Sequence, residues 1–127
     1  MKILVVDDNP LHLKLARVVL DAAGHDVNGA SAAEQVVDAI NVERPDLILL
    51  DLDLPGVDGL SLARQLKGNA DTASIHVVAV TAYPEKYPRS VALRAGCEGF
   101  IVKPINTREL PQQLSQVVAG ESQDPNP

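Results

Sequence analysis

The sequence lacks the features that mark several common classes of protein. Its single cysteine, Cys97, excludes an intrachain disulfide and agrees with a reducing compartment. Its 11 lysine and arginine residues form no basic run among 17 acidic residues, so the charge pattern of a nucleic-acid-binding protein is missing. No apolar run approaches the roughly 20 residues needed to cross a bilayer, and no basic and apolar leader follows Met1. These absences predict a cytoplasmic domain that binds neither nucleic acid nor membranes.

Aromatic residues are scarce and concentrated in one part of the chain. The sequence has two tyrosines, one phenylalanine and no tryptophan. Tyr83, Tyr87 and Phe100 all lie between the fourth and fifth predicted strands. They are expected either to fill gaps around a proline-rich loop or to form an interaction face, because tyrosines are good interface anchors. The sequence leaves both interpretations open.

What the chain does contain is a series of apolar runs that end in polar residues. Uninterrupted apolar runs of this length predict strands that are buried on both faces, as in a parallel sheet. The runs and the residues after them are Lys2 to Val6 with Asp7 and Asp8, Leu47 to Leu50 with Asp51, His76 to Val80 with Thr81, and Gly99 to Val102 with Lys103. Because open parallel sheets bind ligands at the carboxyl edge of their strands, these polar groups are expected to meet at one edge.

Helical patterns separate the predicted strands. Asn9 is a good N-cap, Pro10 is a good first helical residue, and Gly24 closes the first helix. The expected apolar face of this helix consists of Leu11, Leu15, Val18, Val19 and Ala22. Ser31 and Glu34 predict a capping box for the second helix. The expected apolar side of that helix consists of Ala33, Val36, Val37 and Ile40.

The remaining elements complete an alternating pattern. Proline inside a helix removes a hydrogen bond and clashes with the preceding turn, so Pro88 is expected to be the first residue of the fourth helix. The segment from Tyr83 to Pro88 is then expected to be a loop without regular hydrogen bonds. Five successive strand and helix units predict a doubly wound α/β domain with right-handed crossovers. The domain is expected to span residues 1–119, with a disordered polar tail over 120–127.

The polar residues at the predicted sheet edge suggest a specific chemistry. Asp7, Asp8 and Asp51 supply three carboxylates, which repel one another unless a cation joins them. Acid-rich sites made entirely of oxygen ligands suit Mg²⁺. With the Thr81 hydroxyl and the Lys103 ammonium added, the set predicts a phosphoryl-transfer site with an aspartate as acceptor.

Five short motifs occur in order, each in a definite relation to a strand or helix end. They are Val6-Asp7-Asp8-Asn9, Asp51-Leu52-Asp53-Leu54-Pro55-Gly56, Thr81-Ala82, Ala95-Gly96 and Lys103-Pro104-Ile105. Together they resemble the receiver domain of two-component response regulators, the CheY-like family, and the resemblance covers essentially the whole chain. It implies a flavodoxin-like (βα)5 sandwich with a five-stranded parallel sheet in the order 2-1-3-4-5.

The resemblance implies an acceptor and a metal site. Asp51 would accept a phosphoryl group from a phosphohistidine of a sensor histidine kinase or a histidine phosphotransfer protein. Asp8, Asp51 and the backbone carbonyl of Asp53 would bind Mg²⁺, and Asp7 would hold the ion through water. The side chain of Asp53 is expected to be solvated at the rim of the site.

The resemblance also implies a switch. Lys103 would pair with Asp51 or its phosphate, Thr81 would donate to a phosphoryl oxygen, and the peptide bond before Pro104 would be cis. Phe100 occupies the position of a switch aromatic residue, and Tyr83 lies on the expected moving loop. Output to an unknown downstream protein would use the fourth helix, fifth strand and fifth helix.

Two other functions are compatible with parts of the sequence. Asp51-Leu52-Asp53 resembles the DxD nucleophile motif of haloacid-dehalogenase-type phosphatases. In those enzymes, however, the motif follows the first strand and the acidic pair comes last in the chain. A constitutive interaction domain that is never phosphorylated is the other alternative, and the presence of acceptor, metal-binding and lysine positions argues against it.

Overall fold

The computed structural model describes residues 1–120 as a three-layer sandwich of five parallel strands and five α-helices. The strands are β1 (Lys2–Val6), β2 (Asp26–Ala30), β3 (Leu47–Asp51), β4 (His76–Thr81) and β5 (Gly99–Val102). The helices are α1 (Pro10–Ala22), α2 (Val36–Val42), α3 (Gly59–Gly68), α4 (Arg89–Arg94) and α5 (Leu110–Val118). The sheet order is β2-β1-β3-β4-β5 with all pairs parallel, which confirms the expected flavodoxin-like fold.

The ends of the chain limit two of the sequence predictions. Residues 121–127 of the expected disordered tail lie outside the described residues, so the boundary at residue 119 stays a prediction. No helix within residues 1–120 has the length and apolar character required to cross a membrane.

The central strand β3 supplies both halves of the core. All five of its residues are buried. Ile48 and Leu50 belong to the cluster beneath α2, α3 and α4, whereas Leu47 and Leu49 belong to the cluster beneath α1 and α5. Side chains alternate between the faces of a strand, so an apolar run is needed where helices cover both faces. The strand ends at Asp51, which therefore begins the site from a buried position.

The predicted apolar face of α1 is wrong. The helix buries Ala16 and Leu20 and partly buries Leu13 against the sheet. Most of the predicted face is exposed, by 75% at Leu11, 51% at Leu15 and 56% at Val18. The buried set and the exposed set both have helical spacing. Spacing alone therefore does not show which of the two sets packs against the sheet. We call Leu11, Leu15 and Val18 the α1 stripe.

Two predicted helix starts are also corrected. The side-chain oxygen of Gln35, not of Glu34, accepts hydrogen bonds from the Ser31 amide at 2.8 Å and the Ser31 hydroxyl at 3.2 Å. A short 3-10 turn precedes α2, and Val37 is exposed. Pro88 has an extended backbone with ψ of 151° and caps α4, which begins one residue later at Arg89. The start of α4 is moved by one residue, as is common at helix ends, whereas α2 begins only at Val36, after the 3-10 turn.

Helix α3 begins directly against the backbone that follows β3. A Cβ atom added at Gly59 would lie 2.5 Å from the Cα of Leu52 and 2.9 Å from its carbonyl oxygen. Backbone cannot move aside as a flexible side chain can. Glycine at this position thus allows α3 to pack beside the residue that follows Asp51.

Replacing Gly59 with alanine tests this close approach. Gly59→Ala should lower the free energy of unfolding by roughly 1–3 kcal/mol, as overpacking does. Gly68→Ala is the matched control in the same helix, because a Cβ there meets nothing within 4 Å. The control should be neutral or stabilising by up to about 1 kcal/mol in urea unfolding. Equal stabilities of the two variants would contradict the packing described.

Candidate functional site

Three carboxylates converge at the carboxyl edge of the sheet. Asp7, Asp8 and Asp51 each place one oxygen within 4.8 Å of the others. The strands β1 and β3 are paired neighbours, with Val6 opposite Leu50, so the residues after them come together. Asp7 and Asp51 are buried and Asp8 is exposed. Within residues 1–120 the Asp8 carboxylate makes no hydrogen bond or ion pair, which leaves it free to bind a ligand from solution.

Lys103 joins the two buried carboxylates. Its ammonium nitrogen lies 3.2 Å from Oδ2 of Asp51 and 3.4 Å from Oδ2 of Asp7. The backbone amide of Lys103 donates to the Thr81 carbonyl at 2.8 Å, and the following bond to Pro104 is cis, as expected. Burial by itself lowers the pKa of the Lys103 ammonium, but attraction to Asp51 and Asp7 outweighs it and raises the pKa. Lys103 is therefore a fixed positive charge.

Asp51 has a hydrogen-bonding partner on each oxygen. Oδ1 accepts from the Asp53 amide at 2.9 Å, and Oδ2 faces Lys103. Burial raises the pKa of the Asp51 carboxyl, and the neighbouring Asp7 carboxylate acts in the same direction. The Asp53 amide and Lys103 offset only part of this effect. Additional positive charge at the site would therefore stabilise the ionised form of the Asp51 carboxyl.

The sequence predicts His12 to be a structural residue at the exposed start of α1, where it borders the carboxyl edge as part of a docking surface, but does not predict its contact with Asp7. Its Nδ1 lies 3.3 Å from Oδ2 of Asp7. Asn9 positions it: the Asn9 amide donates to Asp7 at 2.9 Å, and the Asn9 side chain accepts from Leu11 and His12 at the start of α1. The Asn9-Pro10 start signal directly after the acidic pair could have indicated it, because it fixes the first turn of α1 over the sheet edge.

The Asp53 side chain, expected to be solvated at the rim, is only partly exposed and is hydrogen-bonded to the protein. Its Oδ1 accepts from the Thr81 hydroxyl at 2.9 Å, and its Oδ2 accepts from the Ala82 amide at 2.8 Å. The Thr81 oxygen in turn accepts from the Tyr83 amide at 2.9 Å. Thr81 is fully buried, and its hydroxyl contacts Asp53 and not Asp51. Asp53 thus ties the loop after β3 to the loop after β4.

The segment from Tyr83 to Tyr87 is more regular than expected. The amides of Lys86 and Tyr87 both donate to the Tyr83 carbonyl, at 3.0 and 2.9 Å, forming a hydrogen-bonded turn. Tyr87 is buried in the core, whereas Tyr83 is 54% exposed. Phe100 is partly buried against the core. The gap-filling interpretation therefore applies to Tyr87, which is buried in the core. Tyr83 faces outward, as the interaction-face interpretation requires.

The donor set fits a divalent cation. Three carboxylates face one lysine, and every oxygen donor that converges at the edge is of the hard type that Mg²⁺ prefers. The exposed position of Asp8 leaves room for the several waters that Mg²⁺ retains. The arrangement is compatible with magnesium.

A family model described as the response regulator receiver domain matches residues 3–115. The chain belongs to this family. The match extends from β1 into α5 and so includes every residue of the site described above. The receiver domain is 36% identical over 104 residues to the polar-differentiation response regulator DivK of Brucella anthropi, covering 82% of this chain and 85% of that protein.

Solved structures of receiver domains superpose closely on this receiver domain. A CheY-like response regulator receiver domain protein of Methanospirillum hungatei gives a TM-score of 0.84 at 27% identity, covering 93% of each chain. The signal receiver domain of a DNA-binding response regulator of Colwellia psychrerythraea gives 0.85 at 26% identity, covering 94% of this chain and 98% of that chain.

These likenesses identify the class of function. The protein is a receiver domain of two-component phosphorelay signalling, and the class generally interacts with kinases or phosphotransfer proteins. It is a signalling domain and not a classical enzyme. None of the likenesses reported supports a phosphatase or a constitutive interaction domain.

The pKa of Asp51 predicts a pH-dependent gain in stability when its charge is removed. A carboxyl whose folded pKa is raised stabilises the fold below its unfolded pKa and loses that stabilisation as pH rises through its folded pKa. In EDTA at pH 7, Asp51→Asn should therefore melt a few degrees above wild type. The gap should close below about pH 4, the ordinary pKa of aspartate, where wild-type Asp51 is protonated in both states.

Asp8→Asn is the control for this measurement, since Asp8 is exposed and unpaired among residues 1–120. It should melt no lower than wild type and should change less than Asp51→Asn. An Asp51→Asn protein that melts clearly below wild type at pH 7 would show that the ion pair with Lys103 is a net stabiliser.

Proposed function

We propose that this receiver domain accepts a phosphoryl group on Asp51 from a phosphohistidine of a sensor histidine kinase or histidine phosphotransfer protein, in the cytoplasm. One observation carries the assignment. Asp51 is the buried carboxylate that ends the central strand and faces both the acidic pair and Lys103. Asp7 is also buried, but it accepts from Asn9 and faces His12, so its oxygens are more fully engaged.

The site's residues fit the demands of phosphoryl transfer, which is mostly positioning and charge stabilisation. An Asp51 oxygen forms the new bond to phosphorus as the bond from phosphorus to the donor histidine nitrogen breaks. Lys103 offsets charge on the phosphoryl oxygens. Asp8, Asp51 and the Asp53 carbonyl would hold Mg²⁺, with Asp7 acting through water, and the ion supplies further charge compensation. Thr81 would donate to a phosphoryl oxygen.

The phosphorylated domain is expected to lose its phosphoryl group by hydrolysis. A phosphorylated aspartate is an acyl phosphate, which water hydrolyses, and Asp8 marks the side on which the site opens to solvent. The domain therefore carries out phosphotransfer and its own dephosphorylation without being a multiple-turnover enzyme toward a small substrate.

The α1 stripe is proposed as the docking surface for the helix that carries the donor histidine. Leu15 borders a cavity of about 450 Å³ whose lining also includes His12, Asp51 and Lys103. A histidine that approaches Asp51 must pass over this edge. Apolar side chains exposed at one-turn spacing offer a helix an apolar face to pack against.

The output face is proposed to consist of α4, β5 and α5. Leu93 on α4 and Val102 on β5 are exposed, and Tyr83 is exposed on the loop that precedes α4. Thr81, at the base of the loop leading to α4, connects this face to the site. Phe100 contributes through packing alone, because it has no hydroxyl with which to hold an inward position.

The acceptor assignment is tested by labelling. Asp51→Asn should abolish incorporation of phosphate from a phosphohistidine donor, and excess EDTA should abolish it in wild type. Asp21→Asn removes an exposed carboxylate on α1 and should label normally. Equal labelling of Asp51→Asn and wild type would overturn the assignment of Asp51.

The docking surface is tested with two donors. Leu11→Glu should slow transfer from a protein phosphohistidine by about tenfold or more, as loss of an apolar anchor does. Labelling by a small phosphoryl donor should be unchanged. Val42→Glu places the same charge at an exposed valine on α2, 87% exposed, and should affect neither donor. Equal slowing of Leu11→Glu with both donors would place the defect in the active site.

A further inference from the structure

The carboxylate of Asp53 occupies the two donors that lie at the root of the β4–α4 connection. The Thr81 hydroxyl donates to one of its oxygens at 2.9 Å and the Ala82 amide donates to the other at 2.8 Å. We propose that Asp53 is a latch: it holds these donors in the unphosphorylated domain, and a phosphoryl group on Asp51 must displace it from both. This inference rests on the proposed function of Asp51.

Asp53 contacts both the acceptor and the loop after β4. Its backbone amide donates to Asp51 at 2.9 Å, so its backbone is fixed to the acceptor while its side chain is fixed to the next loop. Asp51 is paired with Val80, and the Leu52 amide donates to the Val80 carbonyl at 2.8 Å. Thr81 is therefore one residue beyond the acceptor's partner on β4, and Ala82 lines the same cavity as Asp51.

A carboxylate and a phosphoryl group compete for the same donors. Both are anions that accept charge-assisted hydrogen bonds from hydroxyl and amide groups. A phosphoryl group carries roughly 1.5 to 2 negative charges, at most about one more than the Asp51 carboxylate that it modifies, and this added charge repels the Asp53 carboxylate. Phosphorylation thus weakens the latch and supplies a replacement acceptor in the same event.

Opening the latch changes the segment that follows it. The Thr81 oxygen accepts from the Tyr83 amide, and the Tyr83 carbonyl accepts from Lys86 and Tyr87. A shift of the Thr81 hydroxyl toward Asp51 therefore disturbs the turn over residues 83–87. In the unphosphorylated domain the latch keeps this turn in one arrangement and makes the phosphoryl group less favourable to accommodate.

The latch predicts two linked changes when the Asp53 side chain is shortened. In Asp53→Ala without any phosphoryl mimic, amide exchange at Ala82 and Tyr83 should be about tenfold faster than in wild type, because the loop loses charge-assisted hydrogen bonds. The same variant should bind beryllofluoride with Mg²⁺ about tenfold more tightly, since no latch has to be broken. Asp53→Asn keeps the shape of the side chain and one acceptor oxygen, so its amide exchange and its beryllofluoride affinity should both fall between those of wild type and Asp53→Ala.

Glu85→Ala is the matched control. It removes an exposed carboxylate from the same segment, and Glu85 has no side-chain hydrogen bond or ion pair within the described residues. Its exchange at Ala82 and Tyr83 should equal that of wild type. High salt separates the latch from simple charge repulsion, since screening should remove a gain in affinity caused by charge alone but leave the change in exchange.

The outcomes distinguish failure of the latch from failure of the proposed function. Unchanged exchange at Ala82 and Tyr83 in Asp53→Ala would overturn the latch, even if beryllofluoride bound more tightly, because only charge would then be involved. An Asp53→Asn variant equal to wild type in both measurements would overturn it as well. A wild-type domain that binds no beryllofluoride with Mg²⁺ would instead overturn the acceptor role of Asp51, while the exchange measurement would still report on the latch.

Discussion

The structure depends on a carboxylate that is buried at the end of a buried strand. Asp51 follows four apolar residues of β3, and burial raises the pKa of its carboxyl. Lys103, which follows the outer strand β5, lies beside both Asp51 and Asp7. Three carboxylates against one lysine leave the edge short of positive charge. That shortage explains at once why the site suits a divalent cation and why it would hold a group whose transfer requires one.

The same edge connects Asp51, the proposed acceptor, to the rest of the molecule through few contacts. Asp53 bonds to Asp51 through its backbone and to Thr81 through its side chain, and Thr81 bonds to Tyr83. The chain of contacts runs from the acceptor to the exposed face near α4 within a handful of residues. Such a route gives a change of charge at Asp51 a physical path to a protein surface, because the proposed phosphoryl group would offer the Thr81 hydroxyl and the Ala82 amide an alternative acceptor.

The sequence was sufficient for the fold and for most of the site, but not for side-chain placement. Buried apolar runs that end in polar residues predict a parallel sheet with Asp7, Asp51 and Lys103 at one edge, whereas the strand order was implied only by the resemblance to the receiver family. The buried face of α1 could not be read, because Leu11 and Leu20 belong to different stripes with equally good helical spacing. The partners of Asp53 could not be read either: its side chain bonds to a loop that is distant in sequence, and no local pattern records that contact.

A structure of the domain with Mg²⁺ and beryllofluoride tests the central claim most directly. The account predicts beryllofluoride bonded to an Asp51 oxygen and contacted by Lys103, with Mg²⁺ between Asp8 and Asp51. It also predicts that the Thr81 hydroxyl and the amide after it have left Asp53 for the fluorides. Beryllofluoride bound at another carboxylate would contradict the account, and Thr81 still donating to Asp53 beside an occupied Asp51 would contradict the coupling of site and loop.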